Sequence, residues 1–329
     1  MKVTHERWDM STIHISLYPF LIIKTRIVLL KMLANLNDVL LDAKKGKYAV
    51  GLFNTVNLEM AKGVIGAAEE LHSPVIIGTA EVLTCYSTID ELAYFLIPMA
   101  KKAKVPVVLH FDHGYTEDLI KKAIRYGFTS VMYDCSTMSF EDNIAAVARM
   151  VKYCHLRNVT VEGELGHVGA NEGGSAEGND TGSIYTDPFE AQTYAERTGV
   201  DALAIAVGTA HGAYKSKPKL DFERMTTISN IVKSPLVLHG GSGLSDEDFK
   251  NSIAHGISKV NIFTDINAAS AQAAAATYMV NTGMTDMMPK IIQAIKESAM
   301  EKMRIIPPLG KCRRGRMAQA VDLIVDGAV

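Results

Sequence analysis

A repeating pattern constrains the fold of this chain more than any other feature: a short β-branched run, a turn, and then an amphipathic helical stretch. Eight such runs occupy residues 48–54, 74–80, 105–112, 129–136, 159–166, 202–210, 234–242 and 259–265. Eight strands that alternate with helices predict an α/β fold, the closed (β/α)8 TIM barrel, formed as a single domain. An open doubly wound sheet is the alternative, but the LFNTVN that follows its first strand is not the G-x-G-x-x-G fingerprint.

The first 31 residues do not follow this pattern. The apolar stretch at residues 12–30 is interrupted by His14, Lys24 and Arg26, so it is a poor membrane-spanning helix, and no small-residue cleavage site follows it. Met32 begins a sequence typical of the start of a folded domain. We therefore predict that residues 1–31 are an N-terminal extension outside the core, consistent with an upstream start codon. Residues 32–329 are predicted to form the barrel with a helical C-terminal part.

The composition excludes several classes of protein. A chain of 329 residues with 48% hydrophobic residues can bury a large core, which excludes a disordered polymer. Its net charge of −2 argues against non-specific nucleic-acid binding. The four cysteines are scattered without a C-x-x-C pair, which excludes common zinc ribbons and predicts reduced thiols in the cytoplasm.

Histidines stand at the ends of three predicted strands, where barrel enzymes place their chemistry. The third run ends at His113, the sixth leads into His211, and the seventh reaches His239. Three imidazoles that converge on a barrel mouth, with one position left open, are the ligand set of a catalytic zinc or a related divalent ion. The alternative for each histidine alone is a hydrogen-bonded structural role.

Carboxylates accompany these histidines. Asp112 precedes His113 and is placed to move protons at a metal-bound substrate. Glu162 and Glu164 are two residues apart on one strand, so they point to the same face, and Asp134 ends the neighbouring strand. Buried carboxylates this close need a cation or a shared proton, unless they pair with Lys or Arg.

Two further segments indicate binding of an anionic ligand. Glycines such as Gly241, hydroxyls and Lys215 follow the last three runs, where backbone N–H groups can bind a phosphate. A long segment at residues 166–187, rich in Gly, Ser, Asn and acidic residues, follows the fifth run. Such a segment predicts a lid or binding loop, with a disordered surface insertion as the alternative.

Taken in order, eight stretches resemble one family: FNTVN, PVII, HFDHG, SVMYD, VEGELG, GTAHGAYK, HGGSGL and KVNIFTD. They are similar to the class II, metal-dependent fructose- and tagatose-bisphosphate aldolases, over residues from about 32 to about 269. The resemblance implies a (β/α)8 barrel that reversibly cleaves a phosphorylated ketose to dihydroxyacetone phosphate and an aldehyde. It also implies a homo-oligomer, a dimer or a tetramer, which acts on a small phosphorylated sugar and binds neither nucleic acid nor membrane.

The resemblance assigns roles to individual residues. It implies a catalytic Zn2+, or another divalent ion, bound by His113, His211 and His239, with Asp134 and Glu164 at a second or alternative metal position; it also allows a monovalent cation. Asp112 is the implied acid/base at the hydroxyl beside the breaking bond, Glu172 the lid carboxylate, and Asn261 the amide that steadies the enediolate. The implied substrate- and phosphate-binding residues are Asn54, Gly212, Lys215, Gly240, Gly241, Ser242, Asn261 and Thr264.

The chain departs from this family at several positions. It has Gly78-Thr79-Ala80 where the family usually has Gln-x-Ser, whose polar groups help to hold the far phosphate of a bisphosphate. It also has Asn171 beside Glu172, Phe263 where a polar residue often stands, and an extra imidazole at His167. We therefore expect the aldehyde half of the substrate to lack a phosphate. A metal-dependent hydrolase and a non-catalytic aldolase-like subunit are the alternative functions.

Overall fold

The structure, a computed structural model, describes residues 32–166, 185–210, 218–279 and 282–306. These residues fall within one compact unit of the chain, residues 31–329. The predicted extension at residues 1–31 and most of the predicted lid segment lie outside the described residues. So do four residues of the predicted site: Glu172, His211, Gly212 and Lys215. The position of residues 1–31 outside the core therefore stays a prediction.

The described strands form one parallel sheet. The strands are β1 (Leu33–Ala34), β2 (Val50–Asn54), β3 (Val75–Ala80), β4 (Val107–Gly114), β5 (Ser130–Tyr133), β6 (Thr160–Leu165), β7 (Ala202–Ile205), β8 (Leu236–Leu238) and β9 (Ile257–Ile262). Each of β2 to β9 pairs with the next, and β9 pairs back with β2, while β1 adds to the start of β4. The eight predicted strands are therefore confirmed as a closed (β/α)8 barrel.

Helices surround this barrel, the first at its N-terminal end and the others outside the strands. They are α1 (Leu36–Gly46), α2 (Leu58–Glu70), α3 (Ile89–Lys102), α4 (Glu117–Tyr126), α5 (Phe140–His155), α6 (Pro188–Thr198), α7 (Phe222–Ile231), α8 (Asp246–Ala254), α9 (Thr264–Thr277) and α10 (Met284–Ile305). A 3-10 helix at Glu81–Cys85 follows β3. None of the helices described is long and apolar enough to span a bilayer.

The strands are shorter than several of the predicted runs. The run at residues 202–210 contains only β7, because the chain leaves the ladder after Ile205. The backbone of Ala206 bonds to Thr186, and the carbonyl of Val207 accepts from the N–H of Asp221, so these residues pair with loops. Sequence alternation does not reveal this change of partner, since the residues stay apolar and buried.

Helix α1 closes the N-terminal end of the barrel. Asn35 and Asp38 form a capping box that starts this helix, and the N–H of Leu36 donates to Thr160 at the start of β6. Its buried face packs against apolar side chains that point into the lower barrel, and together they form one core cluster: Ala34, Leu36, Val39, Leu40, Ala43, Tyr48, Val50, Leu52, Ile76, Val108, Ala202, Ala204 and Val237. The lower half of the barrel is therefore a packed apolar core.

The upper half of the barrel is polar. Side chains of a strand alternate between two faces, so every second residue of a barrel strand points inward. Continuing upward from the apolar layer, the buried inward positions include nine polar residues: Asn54, His110, Asp112, Ser130, Glu162, Glu164, His239, Lys259 and Asn261. Buried polar and charged groups need partners, and the functional site is built from these pairings.

Candidate active site

The site begins at the end of β4, where two adjacent residues face the same place. Adjacent strand residues normally point to opposite faces. Here the register between β4 and β5 shifts between Phe111 and Gly114, and His113 has a φ of 40°, in the left-handed region. This β-bulge turns His113 toward the barrel axis beside Asp112, and such bulges are common next to active sites.

The imidazoles of His113 and His239 meet at the centre of the mouth. His113 Nε2 lies 2.7 Å from His239 Nδ1, and the two rings are perpendicular. His239 follows directly after β8, so two different strands deliver the pair. The predicted convergence of these two histidines is thus observed, whereas the third, His211, lies outside the described residues.

Asp134 fixes the orientation of His113. Asp134 Oδ2 lies 2.8 Å from His113 Nδ1, and its other oxygen accepts from the backbone N–H and the hydroxyl of Ser136. A carboxylate on the far nitrogen of an imidazole sets its tautomer and makes the near nitrogen a better ligand. Asp134 therefore acts here on His113, and its predicted role at a second metal position stays a prediction.

Glu162 and Glu164 point to the same face, as their spacing predicted, but their partners differ. Glu162 Oε2 lies 2.8 Å from Nζ of the buried Lys259, and Oε1 lies 2.9 Å from His239 Nε2. Glu164 Oε2 lies 3.8 Å from His239 Nδ1. Glu162 therefore follows the alternative in which a buried carboxylate pairs with a lysine. Glu164 instead lies beside the imidazoles, where a cation or a shared proton can balance its charge.

Two amides hold the carboxylate of Asp112. Asn54 Nδ2 donates to Asp112 Oδ2 at 2.9 Å, and Asn261 Nδ2 is 3.1 and 3.2 Å from its two oxygens. Asp112 is 1% exposed, so these contacts replace the water that the carboxylate loses. Asn54 and Asn261, both predicted site residues, are therefore brought together on Asp112.

The charges in this cluster favour a cation between the imidazoles. Burial opposes the charge on His113, but Asp112, Asp134 and Glu164 outweigh it and raise the pKa of His113 to about 9. Burial lowers the pKa of His239, and the nearby His113 lowers it further. These surroundings thus favour positive charge at the point where both rings aim their nitrogens.

The carboxylates are held ionised. Burial raises the pKa of Glu162, but Lys259 and His239 outweigh it and lower the pKa to about 2. Burial also raises the pKa of Asp134, but the hydrogen bond and charge of His113, together with the hydrogen bonds from Ser136, outweigh it and lower the pKa to about 2. For Asp112, too, burial is outweighed, chiefly by His113, and the pKa lies well below its usual range. These buried anions need positive charge, which a proton or a metal ion can supply.

The donor set suits a divalent metal. Ligand atoms of Asp112, His113 and His239 lie within 4.8 Å of one another, as do those of His113, Asp134 and Glu164. Neutral imidazole nitrogens and carboxylate oxygens bind zinc and related ions. A third group, His110 with Asp112 and Glu162, meets the same limit but has the ammonium of Lys259 beside it.

The opposite side of the mouth offers backbone N–H groups. Gly240 has a φ of 67°, and a Cβ there would collide with the carbonyl oxygen of Ala210. The hydroxyl of Ser242 accepts from the N–H of Phe263, and α9 starts at Thr264 without a side-chain cap. Uncapped N–H groups at a helix N-terminus attract an anion.

A cavity of about 100 Å3 joins these two sides. Its lining contains Asn54, Asp112, His113, Asn261, Gly240, Ser242 and Thr264 of the predicted site. The rest of the described lining is apolar or aromatic: Ala80, Val82, Leu83, Tyr115, Ile262 and Phe263. Among the described residues that line the cavity there is no Lys or Arg.

Comparison with known proteins shows the family of this chain. The family model described as "Fructose-bisphosphate aldolase class-II" matches residues 34–311. The chain belongs to the class II fructose-bisphosphate aldolase family. A fructose-bisphosphate aldolase of Geobacillus stearothermophilus is 40% identical over 287 residues, which cover 85% of this chain and 98% of that protein. An uncharacterized protein of Escherichia coli K12, YdjI, is 40% identical over 282 residues, which cover 85% of this chain and 99% of that protein.

Solved structures of aldolases agree with the fold. The crystal structure of the YdjI aldolase from Escherichia coli K12 has a TM-score of 0.77 and 37% identity, covering 85% of this chain and all (100%) of that chain. A putative fructose-1,6-biphosphate aldolase from Coccidioides immitis has a TM-score of 0.74 and 29% identity, covering 83% of this chain and 96% of that one. The protein is thus a lyase of a metal-dependent family.

Two residues of the candidate site were absent from the sequence-based prediction. Lys259 is fully buried and joins Glu162 to Asn261, and His110 hydrogen-bonds Ser130 through Nδ1 at 2.7 Å. Each lies on the inward face of a strand, two residues before a predicted site residue: Lys259 before Asn261, and His110 before Asp112. That spacing is the signal in the sequence that would have identified them.

Proposed function

We propose that this aldolase reversibly cleaves a phosphorylated ketose into dihydroxyacetone phosphate and an aldehyde. The observation that carries the proposal is the carboxylate of Asp112, buried, ionised and held by two amides beside the His113–His239 pair. A general acid/base next to a metal-binding imidazole pair is the arrangement that this reaction needs. A hydrolase has no use for an amide that steadies a carbanion, so the position of Asn261 favours aldol chemistry.

We propose zinc as the divalent ion, bound by His113 and His239 together with His211. Ala210, the residue before His211, lies against Gly240, which supports this third ligand. Asp134 and Glu164 are the candidates for a second or alternative position, because they group with His113. When bound, such an ion stabilises the negative charge that develops on the ketone oxygen as the C–C bond breaks.

The residues of the chain divide the remaining work. Asp112 accepts the proton of the hydroxyl beside the breaking bond and returns it in the aldol direction. Asn54 and Asn261 keep its carboxylate in place, and the second N–H of the Asn261 amide can donate to the enediolate oxygen. We assign the second proton transfer, at the carbon of the enediolate, to Glu172.

The phosphate of the dihydroxyacetone half is proposed to bind at the glycine-rich side. The N-terminus of α9 and the segment from Gly240 to Ser242 line the same cavity as Asp112. Phosphate sites after the last strands are common in barrels of this kind. We assign Gly212 and Lys215 to the same phosphate, as the resemblance implies.

The apolar part of the cavity lining supports an aldehyde half without a phosphate. Ala80 stands where the family usually has Ser, and its neighbours in the lining are Val82 and Tyr115. The carboxylate of Glu81 accepts from the N–H groups of Tyr115 and Thr116, at 2.8 and 3.0 Å, which places a negative charge on this rim. A second phosphate would meet this charge with no cation among the described lining residues.

Proton exchange tests the reaction. Zinc-loaded protein should exchange the C3 proton of dihydroxyacetone phosphate with deuterated water, and Asn261→Ala should slow this exchange by roughly 100-fold. A metal-loaded protein that gives no exchange contradicts the proposal. Exchange that is indifferent to Asn261→Ala favours the hydrolase alternative.

Substrate comparison tests the aldehyde half. We expect a higher kcat/KM for fructose 1-phosphate than for fructose 1,6-bisphosphate, and Ala80→Ser should reduce the ratio between them. Much faster cleavage of fructose or tagatose 1,6-bisphosphate would overturn this part of the proposal.

We further propose that the enzyme is a cytoplasmic homo-oligomer. The free thiols of Cys85, Cys135 and Cys154 support the cytoplasmic location, and the oligomeric state rests on the family resemblance.

A further inference from the structure

Lys259 is an uncommon residue for the interior of a barrel. It lies on β9, is 0% exposed, and is among the largest fully buried side chains of the described residues. Its Nζ lies 2.8 Å from Glu162 Oε2, 3.1 Å from Glu162 Oε1, and 2.8 Å from Asn261 Oδ1. A fully buried lysine needs such partners, because an unpaired buried charge is strongly destabilising.

The contact with Asn261 fixes the direction of its amide. An ammonium group only donates hydrogen bonds, so the oxygen of the amide must face Lys259. The NH2 group of Asn261 then faces the carboxylate of Asp112, at 3.1 and 3.2 Å. The reversed amide would place its oxygen against a carboxylate and its NH2 group against an ammonium, which is unfavourable on both sides.

The contact with Glu162 reaches the other functional group. Glu162 Oε1 accepts from His239 Nε2 at 2.9 Å, so the ring carries a proton on that nitrogen. The lone pair of Nδ1 then points toward His113, the side on which the metal ligands converge. One buried lysine therefore connects the amide that holds Asp112 with the imidazole that faces the metal position.

We propose that Lys259 is a positioning residue of the aldol cleavage, which acts by holding the amide of Asn261 toward the reacting groups. The inference rests on the proposed function for the reaction that it serves. Lys259 does not line the cavity, and both its partners are protein groups, so it does not touch the substrate. It is likewise not placed to form a covalent adduct with a ketone.

Three single variants separate positioning from charge. Lys259→Met removes both contacts, whereas Lys259→Gln loses the charge but keeps an NH2 group that can donate to Asn261 Oδ1. We expect Lys259→Met to slow the exchange of the dihydroxyacetone phosphate C3 proton by about 10- to 100-fold, with a smaller change in KM, and Lys259→Gln to recover part of that loss. Lys44→Met is the control, because Lys44 Nζ donates to the carbonyls of Val232, Lys233 and Ser234, away from the site. It should leave the exchange rate unchanged.

A double variant tests whether Lys259 acts through Asn261. In an Asn261→Ala background, Lys259→Met should change the exchange rate by less than about twofold. A second loss as large as in the wild-type background overturns the inference, as does a Lys259→Met enzyme with wild-type exchange. Exchange by the wild-type enzyme in the same assay tests the proposed function separately.

A spectroscopic readout makes the test independent of turnover. In protein labelled with 15N-asparagine, the side-chain NH2 signals of Asn261 are assigned by their loss in Asn261→Ala. They should shift in Lys259→Met and stay in place in Lys44→Met. Unchanged Asn261 signals in a folded Lys259→Met protein contradict the inference. If Lys259→Met does not fold, the double variant Glu162→Gln with Lys259→Met removes both charges of the Glu162–Lys259 pair and allows the same measurements.

Discussion

His113 is held from both sides of its ring. Asp134 contacts Nδ1 at 2.8 Å, and His239 contacts Nε2 at 2.7 Å. The backbone of His113 also lies at a φ of 40°, which a non-glycine residue adopts only where its surroundings hold it. The direction of this imidazole is therefore set before any ligand arrives, and Asp134 is the residue that sets it.

Replacing Asp134 by Asn should weaken zinc binding. The neutral amide is a poorer partner for the N–H of His113, and loss of such a partner lowers metal affinity by about 10- to 100-fold. The measurement is competition for zinc with a chelator of known affinity. Wild-type affinity in Asp134→Asn would contradict the role that we assign to Asp134.

Asp201 provides the matched control. It also pairs with a histidine, since Asp201 Oδ2 lies 2.8 Å from Nε2 of His155, at the end of α5. Asp201→Asn changes the same chemical pair outside the site. It should therefore leave the affinity for zinc unchanged, although it loses structural hydrogen bonds to Asn37 and Val161.

At single residues, the sequence allowed the face of a side chain to be predicted but not its partner. The spacing of Glu162 and Glu164 correctly predicted a common face, because strand periodicity is local. The pairing of Glu162 with Lys259 joins residues 97 positions apart, and it depends on the register of non-adjacent strands. The bulge at His113 was not predicted either, because it depends on how β4 and β5 pair, and pairing between strands is not encoded in either strand alone.

Helix α2 packs closely against α10, and glycine permits the approach. A Cβ at Gly63 would lie 2.6 Å from Ile295 Cγ2 and 3.0 Å from the carbonyl oxygen of Ile292. Gly66 lies on the same helix, but a Cβ there would have Lys296 Cδ as its nearest neighbour, at 3.7 Å. The two glycines thus differ in their surroundings and not in their secondary structure.

Alanine at these two positions should have opposite effects on stability. Gly63→Ala forces α2 and α10 apart, and we expect it to lower the free energy of unfolding by about 1–3 kcal/mol. Gly66→Ala should raise it by about 0.5–1 kcal/mol, because alanine loses less backbone entropy in a helix. Urea unfolding of both variants measures the difference, and equal effects at both positions would exclude this explanation.

At the scale of elements, the strands were predictable and the role of α1 was not. Apolar runs separated by helical periodicity identified all eight barrel strands, since each signal lies within one segment of sequence. Leu36 and Leu40 of α1 have the pattern of any amphipathic helix. The local sequence does not indicate that these leucines pack against Val50 and Val108 at the end of the barrel, where they close it, instead of against its outside.

For the whole molecule, metal binding and folding should be coupled. The proposed ligands come from separate strands, so they converge only in the folded barrel. An ion that binds the folded state alone adds about 2.7 kcal/mol of stability at a concentration one hundred times its Kd. Chelation should therefore lower the Tm of the zinc-loaded protein, as measured by calorimetry.

The double variant His113→Ala with His239→Ala provides the comparison. It lacks both described imidazole ligands, so its Tm should be the same with zinc and with chelator. A zinc-dependent shift as large as in the wild type would place the ion elsewhere in the molecule.

The closure of the barrel by α1 leaves the mouth as the route to the site. In the proposed reaction, both fragments of a cleaved sugar must leave through the opening by which the intact sugar entered. The fragment near the buried Ser242 lies deeper than the fragment near Tyr115, which is 51% exposed. For the proposed reaction, we therefore expect the outer fragment to depart first. The deeper fragment alone should then compete with the intact sugar for the empty enzyme, as a competitive product inhibitor.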